Sequence, residues 1–143
     1  VFVNTQETYM RRCIELAQKG LGLSRPNPSV GCVIVWQGQV IGEGFTSAYG
    51  GAHAEVNAIH AVADKSLLSQ AALYVTLEPC QMCGGALFWS QISKIVYGAK
   101  DKDRGCINLK TKLHPKTKII GGILEKESSN IIKRFFIEKR NLS

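Results

Sequence analysis

Two short motifs carry side chains able to hold a metal and move protons, His53-Ala54-Glu55 and Pro79-Cys80-Gln81-Met82-Cys83. One imidazole and two thiolates make three zinc ligands, one fewer than the closed tetrahedron of a structural site, and an open fourth position is what a catalytic zinc needs for water. Zn²⁺ is therefore the expected cofactor, with His53, Cys80 and Cys83 as its ligands. Cysteines three apart on a helix share a face, and the first helical turn favours their thiolate forms through its free N–H groups and dipole. Glu55 is the expected catalytic residue, because a carboxylate beside an activated water can take its proton and pass it on. On an ideal helix Glu55 lies about 200° from His53, so a first-turn acid that only complements the helix dipole is the alternative. His60 returns to the face of His53 but about 10 Å further along the axis, which makes it structural.

The elements that must position these residues follow from periodicity. Tyr9, Met10, Cys13, Ile14 and Ala17 recur at helical spacing between Glu7 and Gln18, and the helix stops near Gly20. A loop with two prolines, LGLSRPNPS, follows. Residues 31–36 and 39–42 are β-rich runs joined by Gln37 and Gly38, the pattern of a hairpin. Residues 43–52 read as a Gly-rich loop and AHAEVNAIHAVADK as an Ala-rich helix able to pack closely on a sheet. Strands are expected at 72–76, 95–98 and 118–121, and helices at 81–91 and 128–139. This order requires an α/β fold with one mixed five-stranded sheet and helices on both faces. Both motifs fall where a loop or strand enters a helix, and sites in open α/β sheets gather at such junctions.

Composition narrows the class. The 143 residues suit one domain, 1–143, and 45% hydrophobic with 20% charged residues and 4 prolines excludes disorder, collagen and coiled coil. No apolar run approaches the roughly 18 residues of a membrane span and the first 20 residues hold no signal-peptide core, so a soluble cytoplasmic protein without a membrane partner is expected. The charge of +7 is unevenly placed: residues 1–99 balance six basic against six acidic side chains, and residues 100–143 hold twelve against five. A one-ended basic surface suits a polyanion, nucleic acid first, or is a solvated helix face with a Lys-rich loop. Five cysteines without secretory features do not make a disulfide framework. Cys13 and Cys32 read as core thiols, and Cys106 has no assigned role.

Taken alone, C-x-x-C also fits a redox pair, but a disulfide leaves His53 and Glu55 unexplained. H-x-E followed about one βα unit later by P-C-x-x-C is the signature of the zinc deaminases that act on nucleobases. The chain resembles two families with that chemistry. Residues 9–80, through PNPSVGCVIV, GEGF, YGGAHAEVNAI and LYVTLEPC, resemble the deaminase domain of the riboflavin-biosynthesis deaminase/reductase. Residues 76–143, through TLEPCQMCGGALFWSQISKIVYGAKDKDRG and HPKTKIIGGILEKESS, resemble the bacterial tRNA-specific adenosine deaminase. The two meet at LEPC, and a spliced or chimeric chain is one reading of that division. Both likenesses imply the three-layer cytidine deaminase-like fold and a homo-oligomer, a dimer for which Phe88 and Trp89 offer an interface unless they cover the sheet.

The resemblance also implies substrate residues. Asn27 matches a substrate-contacting Asn of the riboflavin-type loop; its alternative is a turn residue between prolines. Thr46 stands where tRNA deaminases place a purine-contacting Asn. Asp101 matches an acid that lies near a ribose hydroxyl, or is a solvated loop acid. Phe135, Phe136, Lys139 and Arg140 match a tRNA-facing terminal helix, although the two rings also fit a core. The C-x-x-C leaves no room for the basic side chain that riboflavin-type enzymes carry between their cysteines. Deamination of tRNA adenosine to inosine on an anticodon stem-loop is the leading expectation. Behind it stand the riboflavin-pathway pyrimidine deaminase and a free-base or nucleoside deaminase. A nucleic-acid-binding module with structural zinc is the reading in which Glu55 is dispensable.

Overall fold

The computed structural model describes residues 4–141, with side chains through residue 137. Helix α1, Thr5–Lys19, begins where Asn4 accepts the Gln6 and Glu7 N–H groups, and it buries Met10, Cys13, Leu16 and Ala17. Strand β1, Gly31–Trp36, and β2, Gln39–Phe45, form the expected hairpin, with Gln37 (φ 48°) and Gly38 (φ 74°) both left-handed in the turn. Then come α2 (Ala54–Ala61), a 3-10 helix (Lys65–Gln70), β3 (Ala72–Leu77), α3 (Gln81–Ser90), β4 (Lys94–Ala99), β5 (Lys118–Ile120) and α4 (Glu125–Asn141).

The sheet is mixed, in the order β2-β1-β3-β4-β5. β1 pairs antiparallel with β2 and β3, whereas β3, β4 and β5 run parallel. Successive residues of β1 feed opposite faces, which is why it reads as an unbroken apolar run. Cys32 and Ile34 pack with Ala54 and Ala58 of α2 and Leu87 of α3, and Val33 and Val35 with Met10, Cys13 and Leu16 of α1. Helix α4 lies against β4 and α1. Cys13 and Cys32 are fully buried, as their apolar settings imply. Among the described residues no helix is long and apolar enough to cross a membrane.

Three local expectations change. β2 continues through Phe45, three residues into the expected loop, because residues 43–45 keep pairing with β1 while α2 lies directly on the strand. A Cβ on Gly42 or Gly44 would stand 2.5 or 2.6 Å from the carbonyl oxygens of Ala58 or Ala54. The second helix stops at Ala61, since Val62 is extended and Asp64 caps a separate 3-10 helix by accepting the Ser66 N–H. Helix α4 starts at Glu125, before the expected Ser128.

Candidate active site

The parallel strands β3 and β4 end side by side at Leu77 and Ala99, and the site lies beyond those carboxyl ends. His53 is the N-cap of α2 and Cys80 the N-cap of α3, both with extended backbone (ψ 163° and 172°) and neither using its side chain to cap. Ser, Thr, Asp or Asn in those places would turn back onto its own helix. His53 and Cys80 turn toward each other instead. Cys80 Sγ is 3.6 Å and Cys83 Sγ 3.4 Å from His53 Nδ1, and the three ligand atoms lie within 4.8 Å of one another. The interaction with Cys83 holds Cys80 down to about 5; that same interaction, and then burial, push Cys83 up. Two sulfurs and one imidazole nitrogen around one point are the donor set that zinc takes.

Because His53 stands outside the helix, the 200° offset does not apply and Glu55 reaches the same centre. It is 4% exposed and lies close enough to Cys80, His53 and Cys83 for each to act on its carboxylate. Burial, above all, pushes Glu55 up to about 7, with its own backbone N–H opposing. A bound cation acts in the opposite direction on a neighbouring carboxylate. Asn57 fixes the approach to His53: its Nδ2 donates to Phe45 O, Ser47 Oγ and Ala52 O, and its N–H to His53 O.

One pocket joins Asn27, Thr46, His53, Glu55, Cys80 and Asp101, with Val30, Leu77 and Glu78 in its wall; Cys83 is buried behind it. The Asn27 N–H makes a turn with Ser24 O, and the residue lines the pocket. Thr46 is 5% exposed and its hydroxyl accepts the Val30 N–H at 2.9 Å. Asp101 Oδ1 accepts from Asp103 and Arg104 N–H, so this loop acid organises its own turn. Phe136 is 46% exposed and faces a groove next to the pocket. Phe135 corrects an expectation: at 1% exposure it is core and has no open face for RNA. The side chains of Lys139 and Arg140 lie outside the described residues.

Sequence reasoning missed Glu78. It is 4% exposed, and its carboxylate accepts the N–H groups of Ile107 (3.0 Å), Asn108 (3.3 Å) and Asp101 (3.4 Å). It thereby clamps the loop after β4 against the Cys80 segment, where Cys106 N–H also donates to Pro79 O. An acid closing the apolar run of LYVTLEPC was the available signal.

Comparison with known proteins agrees with this geometry. Residues 3–99 match the cytidine and deoxycytidylate deaminase zinc-binding region. The chain belongs to that deaminase family. Zinc as cofactor and hydrolytic deamination, expected from H-x-E and C-x-x-C, are the family's. The chain is 39% identical to the riboflavin biosynthesis protein RibD of Actinobacillus pleuropneumoniae over 92% of its own length and 37% of that protein's. It is 35% identical to the tRNA-specific adenosine deaminase of Bacillus subtilis, over 94% of this chain and 90% of the other. Among solved structures, a diaminohydroxyphosphoribosylaminopyrimidine deaminase/5-amino-6-(5-phosphoribosylamino)uracil reductase from Thermotoga maritima superposes with a TM-score of 0.79 at 37% identity. That match covers 92% of this chain and 40% of the other. The chain thus spans well under half of these two riboflavin-pathway proteins, and neither likeness is confined to one of its halves.

Proposed function

We propose that residues 1–143 form one deaminase domain that converts adenosine to inosine in an RNA loop of the tRNA anticodon type, with zinc on His53, Cys80 and Cys83. Zinc held there would supply a water made acidic enough to act as a nucleophile near neutral pH. Glu55 takes the proton of that water, delivers it to the ring nitrogen next to the amine-bearing carbon, and then helps protonate the amine. A C–O bond forms, the C–N bond breaks, and ammonia leaves. Asn27, Thr46 and Asp101 would hold the base and its ribose.

The observation that carries the RNA reading is the groove next to the pocket. Lys100, Lys102 and Arg104 line it together with Asp101 and Asp103, so cations outnumber acids three to two, and Phe136 of α4 adds an aromatic ring beyond what a single small substrate in the pocket would touch. A second reading, a riboflavin-pathway pyrimidine phosphate, is favoured by Asn27 of PNPS at the pocket wall. The chain would act as a homo-oligomer through the outer face of α3, where Met82 is 64% and Trp89 82% exposed beside Phe88. Mass spectrometry on a substrate panel tests the reading. Inosine in an anticodon stem-loop supports it; ammonia from a diaminopyrimidine ribosylamino phosphate alone overturns it in favour of the second.

A further inference from the structure

Arg104 lines two cavities at once. One is the pocket of His53, Glu55 and Cys80, and the other is the groove that continues from it toward Phe136. Lys100 and Lys102 reach only the groove. Among the described residues no carboxylate forms an ion pair with any of these three cations.

The Arg104 side chain is exposed, but its root is fixed. Its N–H donates to Asp101 Oδ1 at 3.0 Å, and the next residue, Gly105, donates to Asp101 O at 3.0 Å and bridges to Cys80. A Cβ on Gly105 would stand 1.9 Å from Glu78 Oε2, so the loop lies directly on the buried acid that clamps it. Here the turn sets a planar fork of donors at the mouth of the pocket, in a groove where three cations outnumber Asp101 and Asp103 and neither acid pairs with the arginine, and an anion meets those donors.

A base whose amine faces Glu55 leaves its sugar at that mouth. We infer that Arg104 binds the phosphate on the ribose of the base held in the pocket, and so selects nucleotides over free bases and nucleosides. The inference rests on the deaminase reading for the pose of the base. The shared chemistry is a ribosyl phosphate, supplied either as the monoester of a free nucleotide or as a diester within RNA.

The test uses the zinc-loaded full chain, with the Arg104 Nε–H signal followed by NMR. Titrants are ribose 5-phosphate, ribose, and an RNA stem-loop with one adenosine in its loop. Ribose 5-phosphate should move the signal and ribose should not. Arg104→Ala should weaken both phosphate probes about tenfold, and Arg104→Lys should restore part of the loss, keeping charge without the fork. A loss for the RNA alone assigns the site to the diester. If RNA is deaminated, Arg104→Ala should raise KM and leave kcat and zinc content unchanged. Equal affinity of wild type and Arg104→Ala for both probes overturns the inference, as does a wild type that binds neither. A chain that deaminates no RNA yet binds ribose 5-phosphate through Arg104 keeps the phosphate site and loses the RNA reading.

Discussion

His53 and Cys80 occupy equivalent places, the N-caps of α2 and α3, with Nδ1 and Sγ 3.6 Å apart. Each forgoes the capping hydrogen bond its position invites, so the two helix starts converge on one point. Cys83, three residues into α3, reaches the same point from within the helix.

Zinc should therefore depend on all three side chains. Wild type is expected to hold one zinc per chain, and Cys83→Ser or His53→Ala should lower occupancy at least tenfold, since loss of one of three ligands removes much of the site's affinity. Elemental analysis after dialysis checks this; full occupancy in Cys83→Ser would remove that ligand.

Glu55→Gln should separate binding from turnover. The carboxylate is buried beside the ligands without being one, so the variant should keep its zinc and lose about 10²- to 10⁴-fold in kcat. Turnover at the wild-type rate would eliminate proton transfer by Glu55.

The grouping of His53, Cys80 and Cys83 and the sheet were legible in the sequence for one reason: each rests on short-range spacing. C-x-x-C and H-x-E mark helix starts, and the period-two and helical patterns give the strands and helices that carry them. The convergence of Glu55 was not legible, because it depends on His53 standing outside the helix, and the backbone of an N-cap cannot be read from periodicity. Glu78 was missed because its partners, Asp101, Ile107 and Asn108, lie more than twenty residues away and offer only backbone. Phe135 and Phe136 are adjacent and chemically identical, so only the packing of α4 tells them apart.

Glu78→Ala should be costly out of proportion to its size. Three buried or half-buried N–H groups lose their acceptor together, which by the cost of unsatisfied donors amounts to about 2–4 kcal/mol. Urea denaturation should show it, and the amides of Ile107 and Asn108 should exchange faster with solvent. Unchanged exchange at both would show that the loop does not depend on Glu78.

Glu43 ties β2 to α1 through Arg12, whose Nε is 2.6 Å and Nη2 3.0 Å from its two oxygens. That pairing lowers Glu43 below its ordinary 4.5. A carboxylate depressed in the folded state contributes stability above its unfolded value, and the contribution is lost as pH falls through the folded one. Both side chains are about one-third exposed, so solvent screening limits the pair to about 0.5–1 kcal/mol. Glu43→Gln should cost that much at pH 7 and nothing at about pH 2. An equal cost at both would show that charge is not what the pair contributes.

The two terminal phenylalanines should part company under substitution. Their rings meet edge to face at 5.1 Å, yet Phe135 is 1% exposed and Phe136 46%. Phe135→Ala leaves a cavity under α4 and should cost about 3–5 kcal/mol, read as a lower urea midpoint. Phe136→Ala should cost under about 1 kcal/mol in stability, because its ring is half in water already. In RNA binding the order should reverse, since a base stacked on an exposed ring contributes about 1–3 kcal/mol. Stacking releases no counterions, so Phe136→Ala should weaken stem-loop affinity without altering its salt dependence. Replacing Lys100 and Lys102 together should instead flatten the log-log slope, by about 0.7 for each single-strand phosphate no longer neutralised. Fluorescence anisotropy across a KCl series separates the two effects, and a Phe136→Ala protein with wild-type affinity at every salt concentration would take α4 out of the RNA path.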